Sequence, residues 1–257
     1  DLKICAKYNL PVLVEKPLAV NFKEALNLVN YMSQKKLILM VGLNFRYLPT
    51  TIEKIKLIKL FKVGKPSFAK FVYERWRDGK LKRLNKYPLK MKHPMLWEQS
   101  IHHFDLIRYV YNSNVKTVFA TTSNPPWSMY KYDSNVNAIL ELNNGILVNY
   151  IGNWQSNSKI LNFEWRTECS KGVIIQKKQF SDLNYIRNNS SKSIKLNLKK
   201  IKMWEDDSIL LLKSFIKNLE SKTKYLSINR DHLNSLAIVD ACIKSSKTGR
   251  KIRLKNY

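Results

Sequence analysis

The sequence predicts a short parallel α/β segment followed by an α+β domain built on a large, mostly antiparallel open sheet. Three observations lead to this fold class. Residues 1–42 show strand, helix and strand patterns in turn, the hydrophobic period changes to two after residue 64, and two helical patterns close the chain. We place the domain boundary so that the first unit spans residues 1–43 and the second spans residues 44–257.

The first unit has the pattern of a parallel crossover. It begins with the end of a helix at residues 2–8, and an apolar strand follows at residues 12–14. Asn21 can cap a helix over residues 22–33, and residues 37–42 form a second apolar strand. Strand, helix and strand within about 30 residues make a parallel βαβ unit.

The segment Glu15-Lys16-Pro17 directly follows the first strand. A lysine at the carboxyl end of a parallel strand lies where an open α/β sheet binds its ligands. A nucleotide-binding sheet needs further strands ahead of this one, yet only eleven residues precede it and residue 1 is Asp rather than Met. The chain is therefore expected to be the back part of a longer protein, truncated at its N-terminus.

The second unit is predicted to be rich in strands. A helix runs from Pro49 to about Phe61, and Gly64-Lys65-Pro66 ends the helical pattern. Alternating strand patterns then cover residues 67–76, 115–122, 135–142, 146–154, 160–168, 173–176 and 194–199. Asn143-Asn144-Gly145 predicts a hairpin turn between two of them.

Helices are predicted at residues 208–219 and 231–245, with Asn229 as the cap of the second. The segment 96–110 also has helical spacing. On a 3.6-residue turn, Glu98, His102 and Asp105 lie within an arc of about 60°, opposite an apolar face.

Carboxylates one turn away from His102 are expected to stabilise its charged form and orient its ring, as suits a general acid or base. The alternative is an ordinary solvated helix face with an incidental ion pair. His103 is predicted to be structural, with a satisfied ring, and His93 and His232 are predicted to lie at the surface. Trp76, Trp97 and Trp154 are candidates for stacking on a sugar, although core packing explains most tryptophans.

The remaining composition excludes several classes of protein. None of the seven glycines forms a phosphate-binding loop, and Cys5, Cys169 and Cys242 have neither metal nor disulfide spacing. We therefore expect no metal and a reducing cytoplasm. No uncharged run is long enough for a membrane span, so no membrane partner is expected.

The formal net charge of +27 comes mostly from lysines spread along the whole chain. We attribute it to coding bias and solvated lysines, because arginine, the usual base-reading residue, is scarce by comparison. No specific nucleic-acid partner is expected. A module that binds polyanions remains an alternative, as does a modest preference for anionic substrates.

Four segments, taken together, resemble the Gfo/Idh/MocA family of nicotinamide-dependent oxidoreductases. They are Val14-Glu15-Lys16-Pro17-Leu18-Ala19, Asn44-Phe45-Arg46-Tyr47-Leu48-Pro49, the helix from Glu98 to Asp105, and the C-terminal run from Ser235 to Arg250. The resemblance covers essentially the whole chain. It implies that the first unit is a remnant of a Rossmann domain and that the full-length parent binds NAD or NADP.

The resemblance also implies catalytic roles. Lys16 would hold the substrate hydroxyl and contact the nicotinamide ribose, and His102 would take or return the hydroxyl proton. Glu98 stands where the family usually has Asp, and Ser100 where it usually has Gly. Either departure could mark a subgroup or altered chemistry.

The nicotinamide end of the cofactor would be lined by Glu15, Lys16, Pro17, Asn44 and Arg46. Without the resemblance, the more ordinary roles for Asn44 and Arg46 are helix capping and a surface salt bridge. Because the glycine loop is absent, this stretch is expected to bind NAD(P) poorly by itself.

By this resemblance, the substrate would be a small sugar-like molecule, and a homo-oligomer would form through the open sheet. The first alternative function is a non-catalytic relic of the family that binds a carbohydrate or a partner. The second is the polyanion-binding module.

Overall fold

The structure is a computed structural model that describes residues 1–220 and 225–257. The helices are α1 (Leu2–Lys7), α2 (Phe22–Gln34), α3 (Pro49–Lys59), α4 (Ile101–Tyr111), α5 (Asp206–Leu219) and α6 (Tyr225–Thr248). The strands are β1 (Val12–Val14), β2 (Leu39–Val41), β3 (Pro66–Glu74), β4 (Val115–Ser123), β5 (Asn135–Leu142), β6 (Leu147–Asn153), β7 (Asn162–Cys169), β8 (Gly172–Gln176), β9 (Asn184–Arg187), β10 (Ile194–Lys195) and β11 (Ile252–Arg253). Short 3-10 turns cover Asn44–Tyr47 and Tyr87–Leu89, and a π-helical turn at Met95–Ser100 leads into α4.

The first unit forms the predicted parallel crossover. Strands β1 and β2 pair in parallel, with Leu13 opposite Met40. The side chain of Asn21 accepts a hydrogen bond from the backbone N–H of Glu24 at 2.9 Å, so the predicted cap of α2 is confirmed. Both strands therefore end at the same edge, where Glu15 and Gly42 follow them.

The second unit contains a nine-stranded sheet in the order β10-β9-β8-β7-β3-β6-β5-β4-β11. Strands β3 and β6 are parallel, and the other neighbouring pairs among the described strands are antiparallel. The predicted fold class, a parallel α/β remnant followed by a large, mostly antiparallel open sheet, is confirmed.

The two faces of this sheet differ in burial. Helices α4 and α6 pack against one face, where Tyr150 of β6 and Trp165 of β7 are almost completely buried. Alternate residues point to the other face, and several of these are apolar and 39–49% exposed. They are Phe68, Phe119, Ile139 and Leu147.

The larger of the hydrophobic core clusters crosses the predicted domain boundary. Val29 and Leu39 of the first unit and Leu236 of α6 belong to the same buried cluster. The side-chain oxygen of Asn229 accepts a hydrogen bond from the backbone N–H of Leu39 at 2.7 Å. The boundary after residue 43 therefore stays a prediction.

Predictions from the sequence differ from the structure in three respects. Asn229 is not a cap but a buried residue inside α6, which begins earlier than predicted because its first turns pack against the βαβ unit. The predicted strand at residues 194–199 is paired only at β10, although Leu196 and Leu198 still pack against a small core. The short strands β9 and β11 were missed because two to four residues carry too little alternation.

The described helices, within residues 1–220 and 225–257, include none long and apolar enough to cross a membrane.

Candidate active site

A cavity of about 350 Å³ lies at the carboxyl ends of β1 and β2. Lys16, which follows β1, lines this cavity together with Glu98 and His102 from the turn and helix around α4. Glu15 and Asn44 also line it. The structure thus brings five of the seven predicted site residues into one cavity.

Lys16 and Glu98 are in direct contact although 82 residues separate them. The Lys16 ammonium donates to the backbone oxygen of Glu98 at 2.9 Å and to its carboxylate at 3.3 Å. Tyr87 donates its hydroxyl to the other carboxylate oxygen at 2.7 Å, and burial together with this carboxylate raises the pKa of Tyr87 to about 12. Both oxygens of Glu98 are therefore engaged, and the ammonium is held at the cavity wall.

His102 is neutral in this environment. Burial lowers its pKa well below 6.5, and Lys16, His103 and His232 lower it further. The expectation that flanking carboxylates stabilise its charged form is therefore wrong, because Glu98 is already paired with Lys16. The ring stacks on Phe45 at 4.4 Å, and its Nδ1 has no hydrogen-bond partner among the described residues. The lowered pKa keeps the imidazole unprotonated near neutral pH, so a ring nitrogen can accept a hydrogen bond from a hydroxyl group.

Asp105 does not share the cavity with His102 and Glu98. His102 and Asp105, which the helical wheel placed on one arc, contact different residues of the 3-10 turn before α3. These two residues of the turn, Phe45 and Arg46, are consecutive in sequence. Phe45 stacks on His102, whereas Arg46 donates two hydrogen bonds to Asp105, one of them 2.7 Å long from Nε. Asp105 is 1% exposed and belongs to an ion-pair network instead.

This network joins Arg46, Asp105, Arg108 and Asp231. Arg46 also donates to Asp231 at 2.5 Å, and Arg108 donates to the other oxygen of Asp231 at 2.9 Å. Burial opposes the charge on Asp231, but the two guanidinium groups outweigh it and hold the pKa of that carboxyl below its usual range. Arg46 lines two neighbouring cavities rather than the one that contains Lys16.

The predicted cofactor-lining residues are thus separated in space. Glu15 is exposed at the cavity, whereas Pro17 is half-buried behind Lys16 and outside the cavity wall. The side-chain amide of Asn44 donates to Asp207 at 2.6 Å. Asp207 is fully buried, and its second carboxylate oxygen has no partner among the described residues. Asn44 is therefore fixed in place at the cavity.

The other histidines fall into three environments. His103 is buried with both ring nitrogens near partners, Gln99 at 3.1 Å and Tyr150 at 2.8 Å, in agreement with the structural role predicted for it. His232 is 2% exposed, so its predicted surface position is wrong; α6 buries it in the interior, and burial lowers its pKa to about 3. His93, also predicted at the surface, is half-buried.

Arg77 and Trp204 are among the cavity residues that were not singled out from the sequence, and Trp154 was noted only as a stacking candidate. The Arg77 guanidinium lies 4.1 Å from the ring centroid of Trp154, which is buried. Trp204 is 61% exposed and lies 5.8 Å from Phe45. The run of charged and aromatic residues after β3 was the one signal that pointed to Arg77.

Within the part of the chain that the structure describes, no three His, Cys, Asp or Glu residues group in a way that could hold a metal ion.

Comparison with known proteins identifies the larger unit. Residues 55–175 match the GFO/IDH/MocA C-terminal domain. An uncharacterized protein of Sinorhizobium fredii (strain NBRC 101917 / NGR234), y4oX, is 24% identical over 197 residues. That alignment covers 72% of this chain and 52% of the other protein, so the chain spans about half the length of this curated relative.

Solved structures share the fold over nearly the whole chain. An oxidoreductase from Agrobacterium radiobacter, solved with NAD+, L-tartaric acid and magnesium, has a TM-score of 0.85 at 17% identity, covering 98% of this chain and 75% of its own. An inositol dehydrogenase homolog from Azotobacter vinelandii, solved with NADH and myo-inositol, has a TM-score of 0.83 at 11% identity, covering 98% and 74%. A levoglucosan dehydrogenase, solved with NADH and L-sorbose, has a TM-score of 0.83 at 14% identity, covering 100% and 76%.

At these identities the structural likeness shows the fold. The domain match over residues 55–175 and the shared fold agree with the resemblance carried by the four sequence motifs. Residues 55–175 therefore match the GFO/IDH/MocA C-terminal domain, and the chain as a whole shares the fold of these solved structures.

Proposed function

We propose that this chain carries the catalytic centre of an NAD(P)-dependent oxidoreductase. The reaction transfers hydride between the nicotinamide and a hydroxyl or carbonyl carbon of a sugar, a sugar derivative or a polyol. One observation carries the proposal: Lys16, Glu98 and His102, from distant parts of the sequence, meet in one cavity at the carboxyl ends of two parallel strands. Similar structures solved with NAD+ and L-tartaric acid, with NADH and myo-inositol, and with NADH and L-sorbose support it.

The residues at the cavity suit the nicotinamide end of the cofactor. Lys16 offers an ammonium that can bind ribose hydroxyls, and Asn44 is held at the same wall by Asp207. The Nδ1 of His102 has no hydrogen-bond partner among the described residues, so one polar atom of a cavity residue remains unsatisfied. The diphosphate end needs a glycine-rich loop, which these 257 residues lack. The fit therefore concerns the nicotinamide end alone.

When bound, the nicotinamide supplies the hydride acceptor or donor. Lys16 donates a hydrogen bond to the substrate oxygen and stabilises the negative charge that develops on it. His102, neutral because of its burial, accepts the hydroxyl proton during oxidation and returns it during reduction. Glu98 keeps the ammonium in position through the contact at 3.3 Å. In this account Arg46 and Pro17 act through the surrounding structure rather than at the cavity.

The open face of the large sheet is the proposed surface for a homo-oligomer. Its exposed apolar residues are neighbours across the strands, since Phe119 lies opposite Ile139 and Phe68 lies opposite Leu147. Exposed apolar groups that form a contiguous patch are typical of interaction surfaces.

The proposal is tested with the full-length gene product, NAD+ or NADP+, and a panel of polyols, sugars and sugar acids. We expect cofactor reduction with at least one compound. Lys16→Met should lower kcat on the order of a hundredfold, because the charge that develops on the substrate oxygen loses its donor. Lys23→Met removes an exposed lysine of α2 and is the matched control, with turnover unchanged. Turnover that is equal in the Lys16 and Lys23 variants, or absent with the whole panel, would contradict the proposal.

A further inference from the structure

Arg77 is held at the cavity by its backbone. Its N–H donates to the carbonyl of Trp154 at 2.9 Å, and its own carbonyl accepts the Tyr130 hydroxyl at 3.0 Å. The segment after β3 is thus attached to the end of β6 and to the loop before β5. The position of the arginine side chain is consequently set by ordered structure on both sides.

The positive charge of the Arg77 guanidinium is not paired with a carboxylate of the described residues. Among residues 1–220 and 225–257, no carboxylate lies within ion-pair distance of it. The Tyr130 hydroxyl is a hydrogen-bond partner of the guanidinium, and the Trp154 ring lies against it. Lys16, the other cation of the cavity, is paired with Glu98, whose second oxygen accepts from Tyr87. Both carboxylate oxygens of Glu98 are therefore engaged by Lys16 and Tyr87, and Glu98 does not neutralise the charge of Arg77.

Trp154 adds an unused donor at the same place. Its ring lies 4.1 Å from the Arg77 guanidinium, and its own Nε1 is buried with no hydrogen-bond partner in the described part of the chain. A guanidinium over an aromatic ring keeps the N–H groups at its edge available for a planar acceptor. The cavity therefore presents unsatisfied donors beside the proposed catalytic groups.

We infer that Arg77, supported by Trp154, selects substrates that carry a carboxylate, so that the preferred substrate class is polyhydroxy acids rather than neutral sugars or polyols. This inference rests on the proposed function, because it assumes that the cavity of Lys16 and His102 is the substrate site. A carboxylate is the planar acceptor that an arginine binds with two parallel hydrogen bonds. One end of such a substrate contacts Arg77, and a hydroxyl of the same molecule contacts Lys16 and His102.

The test compares two ligands with the same carbon skeleton, D-gluconate and neutral D-glucitol, by calorimetric titration of the chain. We expect gluconate to bind at least tenfold more tightly. Arg77→Gln should weaken gluconate binding on the order of tenfold to a hundredfold, and leave glucitol binding within about threefold. Arg77→Lys, which keeps the charge but loses the fork of donors, should retain part of the preference.

Arg75→Gln is the matched control, since it removes the same charge two residues away, where the guanidinium contacts Tyr73 instead of the cavity. Its gluconate affinity should stay unchanged. Equal affinities for the two ligands, a gluconate preference that survives Arg77→Gln, or no binding of either ligand would each overturn the inference.

Turnover measured in parallel with NAD+ or NADP+ separates this inference from the proposed function. Oxidation of neutral polyols without any preference for acids would leave the proposed function standing and remove the inference. Preferential gluconate binding that depends on Arg77, without nicotinamide-dependent turnover, would support a carboxylate site at Arg77 and contradict the proposed function.

Discussion

Two charged regions meet on α4 and its preceding turn, and they differ in how completely their polar groups are paired. In the network of Arg46, Asp105, Arg108 and Asp231, both guanidinium groups bind carboxylates, and Ser235 links Arg108 to Asp105. In the cavity, by contrast, two buried ring nitrogens have no hydrogen-bond partner among the described residues, and one guanidinium is not paired with a carboxylate. They are the Nδ1 of His102, the Nε1 of Trp154 and the guanidinium of Arg77.

Saturation of hydrogen bonds therefore distinguishes the two regions better than residue type does. A fully paired buried network fixes the positions of helices, whereas unpaired donors and acceptors in a cavity are available to a ligand. This contrast assigns stability to the network and chemistry to the cavity, and the following changes test that assignment.

The largest expected loss of stability comes from the network. Asp105→Asn keeps the shape of the side chain but removes the charge between Arg46 and Arg108, which should lower the free energy of unfolding by about 3 kcal/mol or more. Denaturation by urea measures it. Glu53→Gln, which breaks the exposed pair with Lys56, is the control and should change stability by about 0.5 kcal/mol or less. A loss as small as the control would show that the network is not structural.

Acid should destabilise the fold well before the carboxylates titrate. Burial lowers the pKa of His103 and His232 to about 3 and lowers that of His102 in the same direction. Below pH of about 6.5 the unfolded chain therefore binds protons that the native state does not, so stability falls as the pH falls. The limiting slope is about 1.4 kcal/mol per pH unit for each histidine.

Unfolding free energies measured between pH 7 and pH 5 check this expectation, since the lowered pKa of Asp231 acts only at more acidic pH. His232→Gln should reduce the slope by the share of one histidine. A stability that does not change with pH over this range would contradict the neutral, buried state of these rings.

The sequence predicted the order of the elements well, because their local signals are strong. The cap at Asn21 lies within one turn of the donor it accepts, and the turn at residues 143–145 lies between two strongly alternating strands. The triad of Lys16, Glu98 and His102 was found through motif resemblance, and the structure brings these residues into one cavity.

Partners that are distant in sequence were not predictable from spacing. The helical wheel grouped Asp105 with His102. In the structure Asp105 instead pairs with Arg46, 59 residues away, and Arg46 also pairs with Asp231, 185 residues from it. His232 was predicted to lie at the surface. Its burial results from the elements that pack around α6, and the local sequence does not show which elements these are. Arg77 lies in a loop, where no periodicity reports its direction.

The central claim is that His102 acts in the cavity as the proton acceptor and that the adjacent network does not take part in the chemistry. The most direct test measures kcat and the free energy of unfolding of His102→Asn in the full-length gene product, with its nicotinamide cofactor and best substrate. We expect kcat to fall on the order of a hundredfold or more while stability changes by about 1 kcal/mol or less. Unchanged turnover, or a loss of turnover that only follows a loss of folded protein, would contradict the account.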